Sequence, residues 1–586
     1  MFFIARQAAA TLAGRLGRTS TISTREGSTG ARVYNESDGP LGRTDGVKLL
    51  RPLPAPAARL LSTLVVVAWL LQMGVLVRRA FSSTPLALAA DLASYGTSAH
   101  WRGIYYRGDK IGFSVGQTTP SGDGYEIRED ARLQMNLVGA TTAVRMTSRA
   151  VVDRAFALRS FSFSLDPGTG PTDIEGTLEG RRLDLVIRNS AGERRESRQL
   201  PEAPALSLNL PRALAARGLE PGQTHVVSVF DPATLRNTKV TLEVQAREVV
   251  RAAGRPVPAF RVEGRFAGVT TRSWITDVGE VVREESPMGL QVVRETQAQA
   301  QALAVPGAVQ ADMLEASALV PLHPRRIDDP RTVARLRVRI EGLTQLDGAD
   351  MQGAGQSNDA GTIEVKDARD LAPVATPGDL GRYLGAEAFL ESDSPEIRAE
   401  AEKATTGAAT PRLRAERLAR HVHAIVEKRP TVSLPSAAEV LRTRVGDCNE
   451  HTALYVAMAR SLGLPARIAV GLVYLRGAFY YHAWPEVWIA ETAGRGLWLP
   501  VDPTLNQFPA DATHVRLARG GLDRQAAIVG LIGKAKLDIL DVELRPGAVP
   551  VLVGRETADL GSLDIPLPRR EGNGRGCWSQ PPRRQR

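Results

Sequence analysis

Residues 99–300 alternate between apolar and polar positions in short runs broken by turn residues. "GIYYRGDKIGFSVGQT" gives two such runs on either side of Gly108-Asp109, a hairpin signal. "SGDG" at 121–124 marks a second turn, and "YEIREDARLQMNL" follows with partial alternation. Further strand candidates are "FALRSFSFSLD", "RRLDLVIRNSAGE", "HVVSVFD", "TKVTLEVQAREVV", "PAFRVEGRF" and "TTRSWITDVGEVVREES". Turn signals recurring this often predict an antiparallel sheet, a sandwich or an open barrel. No catalytic grouping shows in this region. His100 stands alone, and the acids are scattered as on solvent-facing strand positions, so the region reads as a binding surface or a spacer.

The pattern changes further on. "QAQAQALAVPGAVQ" (297–310) is a low-complexity connector. "TVARLRVRIEGL" (332–343) and "GTIEVKDARDL" (361–371) are strand candidates separated by a flexible loop, "DGADMQGAGQSNDAG". From Ser394 the spacing becomes helical, with Leu413, Leu418, Val422 and Ile425 along one side of "TPRLRAERLARHVHAIVEKR". Thr410 before Pro411 fits an N-cap followed by proline at the first helical position. Leu454, Met458 and Leu462 recur every four residues beside Ala453 and Ala457, predicting a helix with a buried face that stops at Gly463 and Pro465. "ARIAVGLVY" (466–474), "GAFYYHAWPEVWIA" (477–490) and "GLWLPVDPT" (496–504) then read as three strands.

One apolar run obeys neither period. Leu60–Val77 carries no charge and is closed by Arg59 at one end and by Arg78 and Arg79 at the other. About 18–20 such residues span a bilayer core, so residues 59–79 are predicted to form a single transmembrane helix. Arg43, Lys48, Arg51 and Arg59 precede it, which keeps the N-terminus cytoplasmic and sends the bulk of the chain to the extracytoplasmic side of the cell membrane. Residues 1–58 and the basic, Pro- and Gly-rich 546–586 lack apolar periodicity and are expected to be disordered.

A chain of 586 residues is too long for one core. Its net charge of +10 lies in scattered arginines and in both tails, with no basic stripe and no basic–aromatic interleaving, so no nucleic-acid partner is expected. The two cysteines, Cys448 and Cys577, are far apart, which argues against a structural disulfide.

Cys448 falls in the first turn of its predicted helix, where unpaired amides and the helix dipole favour a thiolate and lower a thiol's pKa. The helix alone admits a nucleophile or a buried apolar thiol equally. His482 in the middle of one following strand and Asp502 at the end of the next shift that balance, because a thiol triad needs an imidazole to take the proton and a carboxylate to orient the ring. His451 makes a Cys-x-x-His pair with Cys448, but no second pair stands nearby at ligand spacing, so no metal is expected. No EF-hand calcium loop is visible and no cofactor is expected. Trp484 reads either as a wall of the substrate cleft or as core. His421 and His423, two apart on a helix, read as surface residues, and His514 as structural.

"GDCNEHTALYVAMARSLGLPARIAVGLVY", "FYYHAWPEVWI" and "WLPVDPTLNQFPADATHVRL" together resemble the transglutaminase-like superfamily of papain-type fold, in its bacterial cysteine-protease branch. The resemblance covers roughly residues 380–545. It implies Cys448 as nucleophile, His482 as general base and acid, and Asp502 as orienting group, with the Cys448 amide as one oxyanion donor. The expected fold class is α+β. The chain divides into a disordered segment (1–58), a transmembrane helix (59–79), a β-rich antiparallel domain (99–302), a linker with short strands (303–375), a papain-like, transglutaminase-like domain (376–545) and a disordered tail (546–586). The expected function is acyl transfer through a thioester, resolved by water on protein or peptide substrates. Protein crosslinking, with an amine as acceptor, is the alternative, and a non-catalytic envelope scaffold is the rival of another class.

Overall fold

The structure is a computed structural model that describes residues 95–546, apart from 97, 138–139, 267–268, 287–288, 303–317, 324, 344–349, 522–527 and 529–534. No helix among the described residues is long and apolar enough to cross a membrane. The run Leu60–Val77, predicted as a transmembrane helix, lies outside them, as do both segments expected to be disordered except Pro546.

The β-rich region is one antiparallel sheet of fourteen strands between His100 and Glu295. The first hairpin turns at Arg107-Gly108, one residue before the expected Gly108-Asp109, with Tyr106 opposite Asp109 and positive φ at Arg107 and Gly108. Ser121 pairs with Gly124 at the second turn. The chain runs outward to an edge strand, Gly192–Gln199, returns through Leu200–Asn209, and restarts at the other edge, Thr224–Asp231. The returning segment stitches the two edges together. Ala205 exchanges backbone hydrogen bonds with Ser228 and Phe230, both 2.8 Å, and the Arg198 guanidinium donates to the Leu235 carbonyl. The sheet therefore curls on itself, which satisfies strand edges that would otherwise stay open. His100 is not isolated: its Nε2 lies 2.6 Å from Glu280 and its Nδ1 faces Arg294 at 3.1 Å.

The stretch expected as a linker holds Val333–Glu341, which pairs with Thr362–Lys366 on one side and with Lys536–Leu544 on the other. The second pairing joins segments some 200 positions apart (Arg339 opposite Asp538), so no local pattern announces it. Part of the predicted flexible loop is also a strand, Gln356–Asp359, whose buried Gln356 amide accepts from Arg516 N at 2.8 Å.

The C-terminal region is a five-stranded antiparallel sheet on which the helices Pro411–Ile425 and Cys448–Ser461 pack, with Pro395–Ala404 and Ala437–Thr443 packed on the latter helix. Its order is Val374–Ala375, Arg495–Pro500, Ala478–Thr492, Ala466–Leu475, Val515–Arg519. The strand Ala478–Thr492, with His482, is central. Gly471 lies opposite His482, and a Cβ there would stand 2.1 Å from the Val515 carbonyl, so only glycine lets the neighbouring strand close in. The helix Cys448–Ser461 is buried on every side rather than on one face. Its polar residues are matched accordingly: Arg460 donates to the Ala466 and Gly385 carbonyls and to Glu387 at 2.7–2.9 Å.

The curled sheet touches this region through Asn189 and Ser436 (3.1 Å), Ser190 and Arg442 (2.9 Å), and Arg194 and Asp393 (3.2 Å). A cleft of about 640 Å³ separates them, lined by Arg198 and Leu235 from the sheet and by Asn449 and Thr452 from the cysteine helix.

Candidate active site

The cysteine helix begins with a reciprocal cap. Asp447 accepts from Asn449 N at 2.9 Å, and Glu450 accepts from Asp447 N at 2.8 Å and from the Ser433 hydroxyl at 2.6 Å. Gly446 belongs to the same device, because a Cβ there would lie 2.2 Å from Glu450 Cβ. The first turn rests on the histidine strand, where the Thr452 hydroxyl donates to the Ala483 carbonyl at 3.1 Å and a backbone hydrogen bond from Ala483 favours the Cys448 thiolate. Nucleophile candidate and base candidate thus sit on neighbouring positions of two packed elements.

His482 and Asp502 are both fully buried at their side chains, with Nε2 2.7 Å from Oδ2. His482 Nδ1 is buried and has no hydrogen-bond partner, which leaves the second ring nitrogen for a reacting group. Asp502 is fixed from every side. Its backbone pairs with Gln507 in both directions at 2.8–3.0 Å, and Oδ1 accepts from Leu505 N at 2.9 Å. Burial opposes its charge, but His482 and His514 hold the carboxyl well below the usual range.

His514 is the residue that sequence reasoning undervalued. Its Nε2 lies 3.0 Å from the same Asp502 Oδ2, and its Nδ1 lies 3.3 Å from Asp511 Oδ1. Burial works against its charge, yet the two carboxylates raise its pKa to about 10, so it is an imidazolium at neutral pH. Asp511 is in turn tied to Gln507 at 2.7 Å and to the Thr513 hydroxyl at 2.6 Å. The spacing "DATH" gave no hint that this histidine reaches back to Asp502. His423 was also misplaced: it is half-buried, and its Nδ1 lies 2.9 Å from the Pro503 carbonyl, holding the helix Pro411–Ile425 to the aspartate loop. His421 is likewise partly buried, 2.8 Å from Glu400. Trp484 is 1 % exposed and packs beside both histidine rings, 6.0 Å from His482 and 5.2 Å from His514, which are themselves 5.7 Å apart.

The thiol departs from expectation. Burial pushes Cys448 well above the usual thiol range, the Asp447 charge adds to this, and the opposing contribution of Ala483 does not overcome them. The helix N-terminus still favours an anion, but the solvation lost on burial and a carboxylate one residue away outweigh it. Cys448 is 0 % exposed, so the resting site is closed over its sulfur.

His451 Nδ1 lies 2.6 Å from the Asp447 carbonyl. The donor atoms of His482, Asp502 and His514 do lie within 4.8 Å of one another, close enough in principle to hold an ion. Their convergence on Asp502 Oδ2 is that of two hydrogen bonds to one oxygen.

The helix that carries the thiol thus packs on the strand that carries the carboxylate-bound imidazole. Residues 398–503 match the family model of the transglutaminase-like superfamily, and this domain is transglutaminase-like. The superfamily includes cysteine peptidases and acyltransferases. Residues 103–294, the curled sheet, match a family described as "Protein of unknown function (DUF3108)". Three solved structures resemble parts of the chain. A "putative cysteine protease" from Cytophaga hutchinsonii is 19% identical, over 39% of this chain and 86% of its own, with a TM-score of 0.24. A beta-barrel-like protein of domain of unknown function DUF1849 from Brucella abortus is 13% identical, over 34% and 95%, with a TM-score of 0.26. A DUF1089 family protein from Pseudomonas aeruginosa is 14% identical, over 30% and 89%, with a TM-score of 0.20. No curated protein matches.

Proposed function

We propose that the protein is a membrane-anchored thiol enzyme that hydrolyses peptide or amide bonds of protein substrates by acyl transfer. The observation that carries this reading is the buried His482–Asp502 pair at 2.7 Å, set beside the first turn of the Cys448 helix. His482 Nδ1 takes the thiol proton as the sulfur attacks the substrate carbonyl, and a C–S bond forms. The same nitrogen returns the proton to the departing amine as the C–N bond breaks, leaving a thioester. Water, deprotonated by His482, then attacks the thioester and restores the thiol. Asp502 accepts the Nε2–H throughout and stabilises the imidazolium. The Cys448 backbone amide supplies one donor to the oxyanion. An amine in place of water would give a crosslinker by the same steps. The apolar run Leu60–Val77 anchors the chain, with the enzyme on the extracytoplasmic side.

Complete burial of Cys448 favours a second reading, a scaffold whose thiol never reacts. Incubating the full-length protein with casein and a labelled primary amine separates these. Fragments that vanish in Cys448→Ala and His482→Ala support hydrolysis, and label incorporation with the same dependence supports transfer. Turnover that survives in either variant, or none in the wild type over a broad panel of proteins, favours the scaffold.

A further inference from the structure

The curled sheet encloses a space that its own side chains do not fill. Alternate residues of its strands face a cavity of about 280 Å³. Small barrels are normally packed solid by such inward positions. Here many of them are short: Ser114, Gly116, Ser148, Thr271 and Ser273 line the space. At about 30 Å³ per water-sized group, the cavity has room for about nine or ten heavy atoms.

The lining is divided by chemistry. Leu242, Val262 and Ile275, with Leu210 and Leu214 of the helix Leu210–Ala215, give it apolar surface. His100, Arg102, Glu129, Glu280 and Arg294 give it charge, and these groups are paired: Arg102 with Glu129 at 2.9 Å, and Arg294 and His100 with Glu280 at 2.8 and 2.6 Å. Glu284 also faces the space, and burial pushes its carboxyl up towards the neutral form. One cation is left over. Arg212 is partly buried and, among the described residues, has no carboxylate within ion-pair distance. Its guanidinium donates to the Val278 carbonyl at 3.3 Å. It lines both the cavity and an adjoining open cleft of about 630 Å³, so it stands where the two meet.

Two polar atoms are stranded inside. Ser114, 1 % exposed, has a hydroxyl with no partner, and Arg102 Nε is buried and unpartnered. Buried donors without partners are uncommon in folded proteins and call for a ligand or water.

We propose that the curled sheet is a binding site for an anionic amphiphile, with an apolar body of up to about ten heavy atoms among Leu242, Val262 and Ile275 and an anionic group on Arg212. A carboxylate or a phosphate monoester meets the same requirement. The site is separate from the Cys448 chemistry and does not depend on it.

The test uses the full-length chain in lipid nanodiscs, with empty discs subtracted, titrated calorimetrically with octanoate, octyl phosphate and octanol. Saturable one-to-one binding of either anion, at least about tenfold tighter than octanol, is expected, and the tighter anion names the head group. Arg212→Gln should weaken it at least about tenfold, and Ser273→Leu, which fills the cavity, should abolish it. Ser148→Leu replaces that variant if it unfolds, and Cys448→Ala should bind as wild type. Heat indistinguishable from empty discs, equal binding of octanol, or wild-type binding by both Arg212→Gln and a folded cavity-filling variant would overturn the proposal.

Discussion

Replacing His514 with glutamine tests the electrostatics of the site. Glutamine can keep a donor near Asp502 but cannot carry charge, so Asp502 and Asp511 lose their shared cation. The folded pKa of about 10 stands above the ordinary 6.5. A raised folded pKa contributes stability that is fully present below the unfolded value and lost as pH rises through the folded one. By linkage from these two values the charge contributes several kcal/mol at pH 6 and only a fraction of that at pH 9. The penalty of His514→Gln should therefore shrink by about 3 kcal/mol between those pH values. Urea unfolding followed by tryptophan fluorescence reads this out, since Trp484, Trp488 and Trp498 all lie in the transglutaminase-like sheet. Each pH needs both proteins, so that titrations common to them cancel. A penalty that stays constant from pH 6 to pH 9, or one below about 1 kcal/mol at pH 6, would show that His514 is neutral and that the relay is wrongly drawn.

Other substitutions probe the frame around the site. Gly446→Ala drives a methyl into Glu450 and disrupts the cap, at a cost of about 1–3 kcal/mol, visible as a lower urea midpoint; an unchanged midpoint refutes the tight contact. His423→Ala removes the bond to the Pro503 carbonyl and should lower kcat about fivefold with KM unchanged, as the loss of about 1 kcal/mol of positioning predicts; a pure KM effect would place His423 in substrate binding instead. Iodoacetamide should modify Cys448 at pH 7 at least about tenfold more slowly than a free thiol, given its burial and raised pKa, and free-thiol rates would mean that the resting site is open. Asp502 and Asp511, both held low, contribute stability above the ordinary value of 3.8 that is lost as pH falls below it, so His514→Gln should also move the acid-unfolding midpoint upward.

The sequence by itself determined the local elements and the order of the chemistry. The first turn to within one residue, the second at 122–123, the cysteine helix with its stop at Gly463 and the strands carrying His482 and preceding Asp502 were legible, because turn residues, helix stops and periodicity act over a few positions. Strands with weak alternation escaped notice. Gly192–Gln199 reads GERRESRQ, an edge strand with five of its eight positions exposed and none buried, which therefore needs no apolar stripe. The tertiary structure alone decided what depends on distant pairing. It made Val333–Glu341 a partner of Lys536–Leu544, left a cavity inside the curled sheet, tied His423 and His514 to the aspartate loop, and sealed Cys448 so that burial outweighs the helix terminus. These outcomes rest on which side chains share a low-dielectric interior, and residues separated by tens to hundreds of positions leave no periodic trace of meeting there.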